Sequence, residues 1–423
     1  MYNQDVLHQE VARAFLHSSN LRPDMGQHHN YNPDRQAHQG YARRSRHDAP
    51  DEFTNGKRIR TDVNRDQVPI HSEMKRYRVE GQGAVQRPPL AQSANREQLP
   101  VDPLEAQLTL LVKSCRPSSR QVQERVDVVT AAQAAFRGRA IVSVYGSLRT
   151  GLFLRSSDVD FCVQFSSFPT AASSAFAQSR RDRFAANSAT LNAISHALRA
   201  YGGFSNFVAI RHAKVPLIKC VHRTTRIEMD FSSNDDGLRT SDYVRHWTGR
   251  LPLARPLILL LKILLSHARL NDPSSGGLGS FGLSLMIFWY LRVEAPSRLE
   301  HSSASSPTLA LLLLDCLEFY SRAIDYSHVE FNIATLTATR KVVPSHELCM
   351  LNPLDTSKNA TQACSVFRSS IQPAFSREAA ALRNSSPGSI LLALASRAAV
   401  PTEEQCSLSD RLREDCEALG IYC

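Results

Sequence analysis

The segment from Val144 to Phe161, VYGSLRTGLFLRSSDVDF, carries a Gly-Ser pair, Gly146 and Ser147, followed by two aspartates set one residue apart, Asp158 and Asp160. On a β-strand alternate side chains share a face, so Asp158 and Asp160 point one way while Val159 and Phe161 point into a core. Two carboxylates held side by side repel each other by up to ~4 kcal/mol at about 4 Å and an effective dielectric of about 20. Such a pair is stable mainly when a cation sits between its members. Oxygen-only donors suit Mg²⁺, which takes one or two carboxylates and completes its shell with phosphate oxygens and water. The Gly-Ser turn, with no side chain on the glycine, lets backbone N–H groups approach a phosphate. A further alternating stretch, Arg226 to Phe231, follows the strand-like run Val215 to Val221 and supplies Asp230. Asp230 is placed to complete a three-carboxylate site for two metals about 3.5–4 Å apart.

This constellation resembles the DNA polymerase β-like nucleotidyltransferases, whose pattern is an apolar residue, Gly-[Gly/Ser], a short spacer, Asp-apolar-Asp and a distant third Asp on a strand. Gly146, Ser147, Asp158, Asp160 and Asp230 match it position by position. Three downstream runs, Arg255–Leu291, Leu317–Tyr326 and Asn352–Thr361, are similar to the central domain of the nuclear RNA-surveillance (TRAMP-type) poly(A) polymerases and the related terminal uridylyltransferases. The resemblance covers residues 103–380. It implies that Asp158 and Asp160 bind both metals, Mg²⁺ or Mn²⁺, and that Asp230 holds the one activating the RNA 3′-hydroxyl. It further implies that Lys262 reaches the triphosphate of ATP, that Ser280 contacts phosphate, that Phe281 stacks on the base and that Asn359 reads the base edge. Read from the residues alone, Lys262 is a lysine snorkelling out of an apolar helix and Phe281 is a core residue. The glycine-rich loop Ser275–Gly279 opens a helix whose N-terminus favours phosphate.

The chain also departs from the resembling families. Ser266 stands where many uridylyltransferases have a second lysine. Lys358, not the histidine common in uridylyltransferases, precedes Asn359, which favours ATP over UTP. Asp235-Asp236-Gly237 replaces the family's Asn-Gly, leaving Asn234 as the nearest residue for a ribose contact.

The elements that must position these residues fall into zones. Residues 1–100 are polar and basic, with clusters GKRIR and KRYR, and bury too little apolar surface to offset ordering entropy, so they read as a disordered tail. Residues 136–238 read as an α/β catalytic domain with a mixed sheet. Its strands are expected at 140–145, around Asp160, and at 206–211, 215–221 and 226–231, with helices at 150–154 and 182–201. Residues 103–135 and 239–396 read as a mainly helical central domain, discontinuous in sequence, with helices at 242–248, 257–267, 281–293, 308–322 and within 374–396. Residues 397–423 read as an uninformative charged tail.

Composition agrees with this division. A chain of 423 residues with net charge +10 suits two domains plus an extension and a polyanionic partner. Nine cysteines without a C-x-x-C pair argue for reduced, packed thiols rather than a zinc site or disulfide framework. The N-terminus lacks the apolar core of a secretory signal, and the longest apolar runs are too short to span a bilayer. The reading is a polynucleotide adenylyltransferase: a template-independent RNA 3′-nucleotidyltransferase that uses two metal ions and ATP, located in the nucleus, with the cytoplasm as the alternative. Neither an aromatic RNA-recognition motif nor a zinc knuckle is visible, so the resemblance implies an RNA-binding zinc-knuckle protein and a helicase as partners, and no membrane. The rival readings are a uridylyltransferase using UTP, a catalytically silent RNA-binding scaffold on the same fold, and an enzyme acting on a small molecule or making oligoadenylate.

Overall fold

The computed structural model describes residues 101–165, 180–296, 308–322, 326–345, 347–401 and 407–423; the expected tail over 1–100 lies outside them. The first elements are α1 (Val101–Ser114), α2 (Ser119–Ala135), β1 (Ala140–Tyr145), α3 (Gly146–Thr150), β2 (Val159–Phe165), α4 (Arg180–Tyr201), β3 (Phe204–Ile210), β4 (Leu217–His222) and β5 (Glu228–Ser232). Then come α5 (Asp236–Arg250), α6 (Ala254–His267), α7 (Ser280–Trp289), α8 (Leu309–Arg322), β6 (Val329–Asn332), β7 (Thr337–Arg340), β8 (Cys349–Asn352), β9 (Asp355–Asn359), α9 (Gln372–Arg383), α10 (Ile390–Ala395) and α11 (Asp410–Leu419).

The five-stranded sheet runs β1-β2-β5-β4-β3, with β2 and β5 parallel and the other pairs antiparallel. Its register sets Tyr145 opposite Asp160, Asp160 opposite Asp230, and Asp230 opposite Lys219. Directly paired residues share a sheet face, so these four form one row of polar side chains. The alternate residues Val159, Phe161, Met229 and Phe231 are buried on the other face, where the Phe161 and Phe231 rings stack at 4.6 Å. Helices α2 and α4 cover that face with Val122, Val126, Val129, Leu191, Ile194 and Leu198. A second core joins α1, α6, α7, α8, α9 and α10; α7 is buried on nearly every side, as its uniformly apolar sequence requires.

Four features differ from the sequence reading. The block 103–135 divides: α1 turns Leu104, Leu108 and Leu111 into the helical core, whereas α2 packs on the sheet. Pro117 and the capping box of Ser118 with Gln121 restart the chain between them, so the second apolar stripe takes a new direction. The short helix starts at Gly146, not Thr150, because Gly146 adopts φ 68° and turns the strand straight into a helix. Four short strands, β6–β9, form a second sheet in the region read as helical, in the order β7-β6-β8-β9. The residues after 407 are not an idle tail: α11 buries Leu412 and Cys416 against the sheet's core, and Tyr422 N–H donates to Leu148 O at 3.1 Å. Among the described residues, no helix is long and apolar enough to cross a membrane.

The turn leading to Asp158 is held by a buried arginine. Arg125 Nη2 donates to the carbonyls of Leu154 (3.2 Å), Arg155 (3.2 Å) and Ser157 (3.3 Å), and its guanidinium lies 4.6 Å from the Phe153 ring centre. Replacing it strips three carbonyls of their donor in a nearly dry site. Arg125→Met is therefore expected to lower stability by about 3 kcal/mol in urea denaturation, and a loss below about 1 kcal/mol would contradict this role.

Candidate active site

Asp158 ends the loop held by Arg125, Asp160 lies on β2 and Asp230 on β5. One carboxylate oxygen from each lies within 4.8 Å of the other two. The parallel pairing of β2 with β5 produces this convergence, since it sets Asp160 directly beside Asp230. Burial first, then the charges of Asp158 and Asp230, push Asp160 up to about 8, while Lys262 and Lys219 oppose the shift. Burial also raises Asp230, and its contact with Lys219 offsets part of that. The set is oxygen-only, crowded and short of positive charge, which suits Mg²⁺ or Mn²⁺.

Gly146 is fitted against the triad. A Cβ there would lie 2.0 Å from Asp160 Oδ2, so only glycine leaves room for that carboxylate. The Gly146 N–H donates to Ser241 Oγ at 2.7 Å, and Ser241 Oγ donates to Gly237 O at 2.7 Å. The Gly146 N–H thus takes part in a strut to α5, which Arg149 reinforces through Asp242 at 2.7 and 3.1 Å. Ser147 Oγ is buried with no hydrogen-bond partner among the described residues. Lys262 crosses from α6 and donates to Leu152 O at 2.9 Å; burial pulls its ammonium down to about 8 although Asp158 and Asp160 oppose this. Lys262 is thus a half-buried cation that points to Leu152 O beside the triad rather than a snorkelling one.

Lys219, Ser241 and Tyr145 escaped the sequence reading. Lys219 Nζ contacts both oxygens of Asp230, at 3.0 and 2.8 Å. Burial pulls its ammonium down, but the Asp230 hydrogen bond and charge more than compensate, so it stays above the ordinary lysine range. Its signal in the sequence is only its place in an alternating strand, and its partner appears once the register is known. Tyr145 is held up by burial first and then by the Asp160 charge, and so remains a phenol.

Ser280, Phe281 and Asn359 belong to a second group, on the helical side. Ser280 is exposed as the first residue of α7, and Phe281 is half-buried against the helical core. Asn359 is joined to them through Thr361, whose methyl would lie 2.7 Å from a Cβ on Gly282. The Asn359 amide is engaged within its own loop: Oδ1 accepts from Met350 N (3.1 Å), Thr361 N (2.9 Å) and Thr361 Oγ1 (2.8 Å), and Nδ2 donates to Leu348 O (3.2 Å). Its oxygen is thus taken up by the loop, while Leu348 O uses one of the two Nδ2 hydrogens. Asn234 is similarly engaged, accepting from Asp236 N at 2.7 Å where α5 opens. Beside Asn359, Lys358 pairs with Asp355 at 2.8 Å and senses the charges of Asp236 and Arg239 on α5. Lys214 Nζ also reaches Gln362 Oε1 at 3.5 Å. The second group thus lies next to α5 and the β3–β4 connection.

Comparison with known proteins agrees with this geometry. Residues 104–248 match the family model of the mitochondrial-like poly(A) RNA polymerase central palm domain. The chain is 33% identical over 190 residues to poly(A) RNA polymerase gld-4 of Caenorhabditis elegans, an alignment covering 44% of this chain and 21% of that protein. It is 25% identical over 260 residues to poly(A) RNA polymerase protein 2 of Saccharomyces cerevisiae, covering 58% of this chain and 42% of that protein. The chain thus spans well under half the length of these curated relatives. The polymerase core of TRAMP, an RNA surveillance complex, shares the fold with a TM-score of 0.56 and 22% identity, covering 77% of this chain and 94% of that one. Residues 104–248 are thus similar to the palm domain of the mitochondrial-like poly(A) RNA polymerases, and the wider chain is similar in part to curated poly(A) RNA polymerases.

Proposed function

We propose that this chain is a template-independent RNA 3′-nucleotidyltransferase that adds adenylates from ATP. The observation that carries the reading is the meeting of Asp158, Asp160 and Asp230 within 4.8 Å beside Gly146. In this reading residues 136–238 are the catalytic unit, the helical core closes the other side of a cleft, and both anionic substrates enter between them. A bound pair of divalent cations would neutralise the triphosphate and lower the pKa of the attacking hydroxyl. Asp158 and Asp160 would hold the ions, and Asp230 would orient the one beside the RNA 3′ end. Lys262, pinned by Leu152 O, supplies fixed positive charge on the triphosphate side, and the unpartnered Ser147 hydroxyl offers a donor to phosphate. Ser280 is a second phosphate donor. Transfer of a nucleotidyl group needs mainly positioning and charge neutralisation, which these groups provide. Phe281 offers a stacking face, which adds roughly 1–3 kcal/mol per base without regard to its identity.

Adenylate is favoured because the curated relatives are named poly(A) RNA polymerases and no histidine precedes Asn359. In this reading the chain works with an RNA-binding zinc-knuckle protein and a helicase in the nucleus; the solved neighbour of the same fold is the polymerase core of an RNA surveillance complex.

The test is a tailing assay on a short RNA with each NTP offered separately, in Mg²⁺ and in Mn²⁺. ATP is expected to give the longest tails; equal or better extension with UTP overturns the adenylate assignment. Asp160→Asn is expected to lower the rate by on the order of 10³-fold with RNA binding retained, and an unaffected rate removes the catalytic reading altogether. Gly146→Ala is expected to lower the rate by about 10²-fold by displacing the Asp160 carboxylate, with KM for ATP changing little. Asn359→Ala is expected to reduce stability by about 1–3 kcal/mol and to slow ATP and UTP incorporation alike. A changed ATP-to-UTP ratio at unchanged stability would instead make Asn359 a base reader.

A further inference from the structure

The row of side chains across the sheet ends in a cation for which the two-metal scheme has no role. Lys219 stands directly opposite Asp230 in the β4–β5 register, and its ammonium lies 3.0 and 2.8 Å from the two carboxylate oxygens. These are the oxygens that a metal ligated by Asp230 would need. Both sites cannot be satisfied together in this geometry, because an ammonium contacting both oxygens covers the edge of the carboxylate from which a divalent ion binds.

The two lysines near the triad differ in freedom. Lys262 is half-buried and tied to Leu152 O at 2.9 Å, so its charge is held in place. The Lys219 side chain is 43% exposed against 12% for Asp230, and a flexible four-carbon stem lets its head leave without unpacking a core. Repulsion among three neighbouring carboxylates supplies the reason for a resident cation, with Asp160 and Lys219 flanking Asp230 on opposite sides in the sheet.

We infer that Lys219 is an exchangeable counter-ion: it neutralises Asp230 while no metal is bound and competes with the divalent ion for that carboxylate. Lys219 is a positioning residue rather than a ligand. It keeps the third carboxylate aligned with the other two and makes the primer-side ion the weaker and later of the pair. The inference rests on the two-metal reading above.

Calorimetric titration of Mn²⁺ alone into the full chain, at low ionic strength and without nucleotide, measures the competition. Folded Lys219→Met is expected to bind Mn²⁺ about tenfold more tightly than wild type, the scale of one charge-assisted contact. Lys219→Arg keeps the charge and is expected to stay near wild type. The gain is expected to vanish when Lys219→Met is combined with Asp230→Asn, since the competitor and its carboxylate act as a pair. Lys219→Gln, which loses the charge but keeps a donor, gives the same reading where the methionine variant does not fold. Unchanged or weaker Mn²⁺ binding in the folded Lys219 variants overturns the inference. The two-metal reading survives that result if wild type binds Mn²⁺ and Asp160→Asn does not; absence of Mn²⁺ binding by wild type removes both.

Discussion

Mutual repulsion among three carboxylates organises this molecule. Asp158, Asp160 and Asp230 place oxygens within 4.8 Å of one another in a poorly hydrated part of the structure. Each charged pair at that separation opposes folding by up to about 3–4 kcal/mol at an effective dielectric of about 20, a large part of a typical domain's 5–15 kcal/mol. Neighbouring groups share the task of tolerating it. Asp160 resists ionisation, Lys262 and Lys219 bring two positive charges, and Gly146 yields the volume that Asp160 fills. A site so arranged suits a hard divalent cation.

The scaffold holds the carboxylates by backbone register. Parallel pairing of β2 with β5 fixes Asp160 beside Asp230, and the stacked Phe161 and Phe231 rings lock the same register from the opposite face. A slip of one residue in β2 or β5 would turn Asp160 or Asp230 into the hydrophobic core, which the buried Val159 and Met229 forbid. The third carboxylate of the set depends on a loop, and there Arg125 takes over from strand pairing. The C-terminal segment supports the back of the same turn: Tyr422 pairs with Leu148, and the Arg245 guanidinium lies 3.6 Å from the Tyr422 ring centre.

The legible parts of the sequence were those with local signals. Strand alternation around Asp160 and Asp230 was plain, and so were the apolar helices α6 and α7. The three aspartates are visible because two stand one residue apart where an alternating run begins and the third sits in another such run. What stayed hidden depends on long-range pairing. Lys219 gains meaning only opposite Asp230, and Ser241 only beneath the Gly146 amide. β6–β9 are four or five residues each, too short for alternation to stand out from loop. Leu412 and Cys416 looked like isolated apolar residues in a charged tail, although their spacing of four is that of one helix face. Asn359 has a motif that points to the base, while Thr361 takes up its oxygen and Leu348 O one of its two Nδ2 hydrogens.

The most direct test is a crystal structure with Mn²⁺ and a non-hydrolysable ATP analogue, collected to show anomalous scattering from manganese. The account predicts two manganese peaks about 3.5–4 Å apart, bridged by Asp158 and Asp160, with Asp230 on one of them and the triphosphate on the other. Manganese bound elsewhere, or a nucleotide held without contact to the three aspartates, would contradict it.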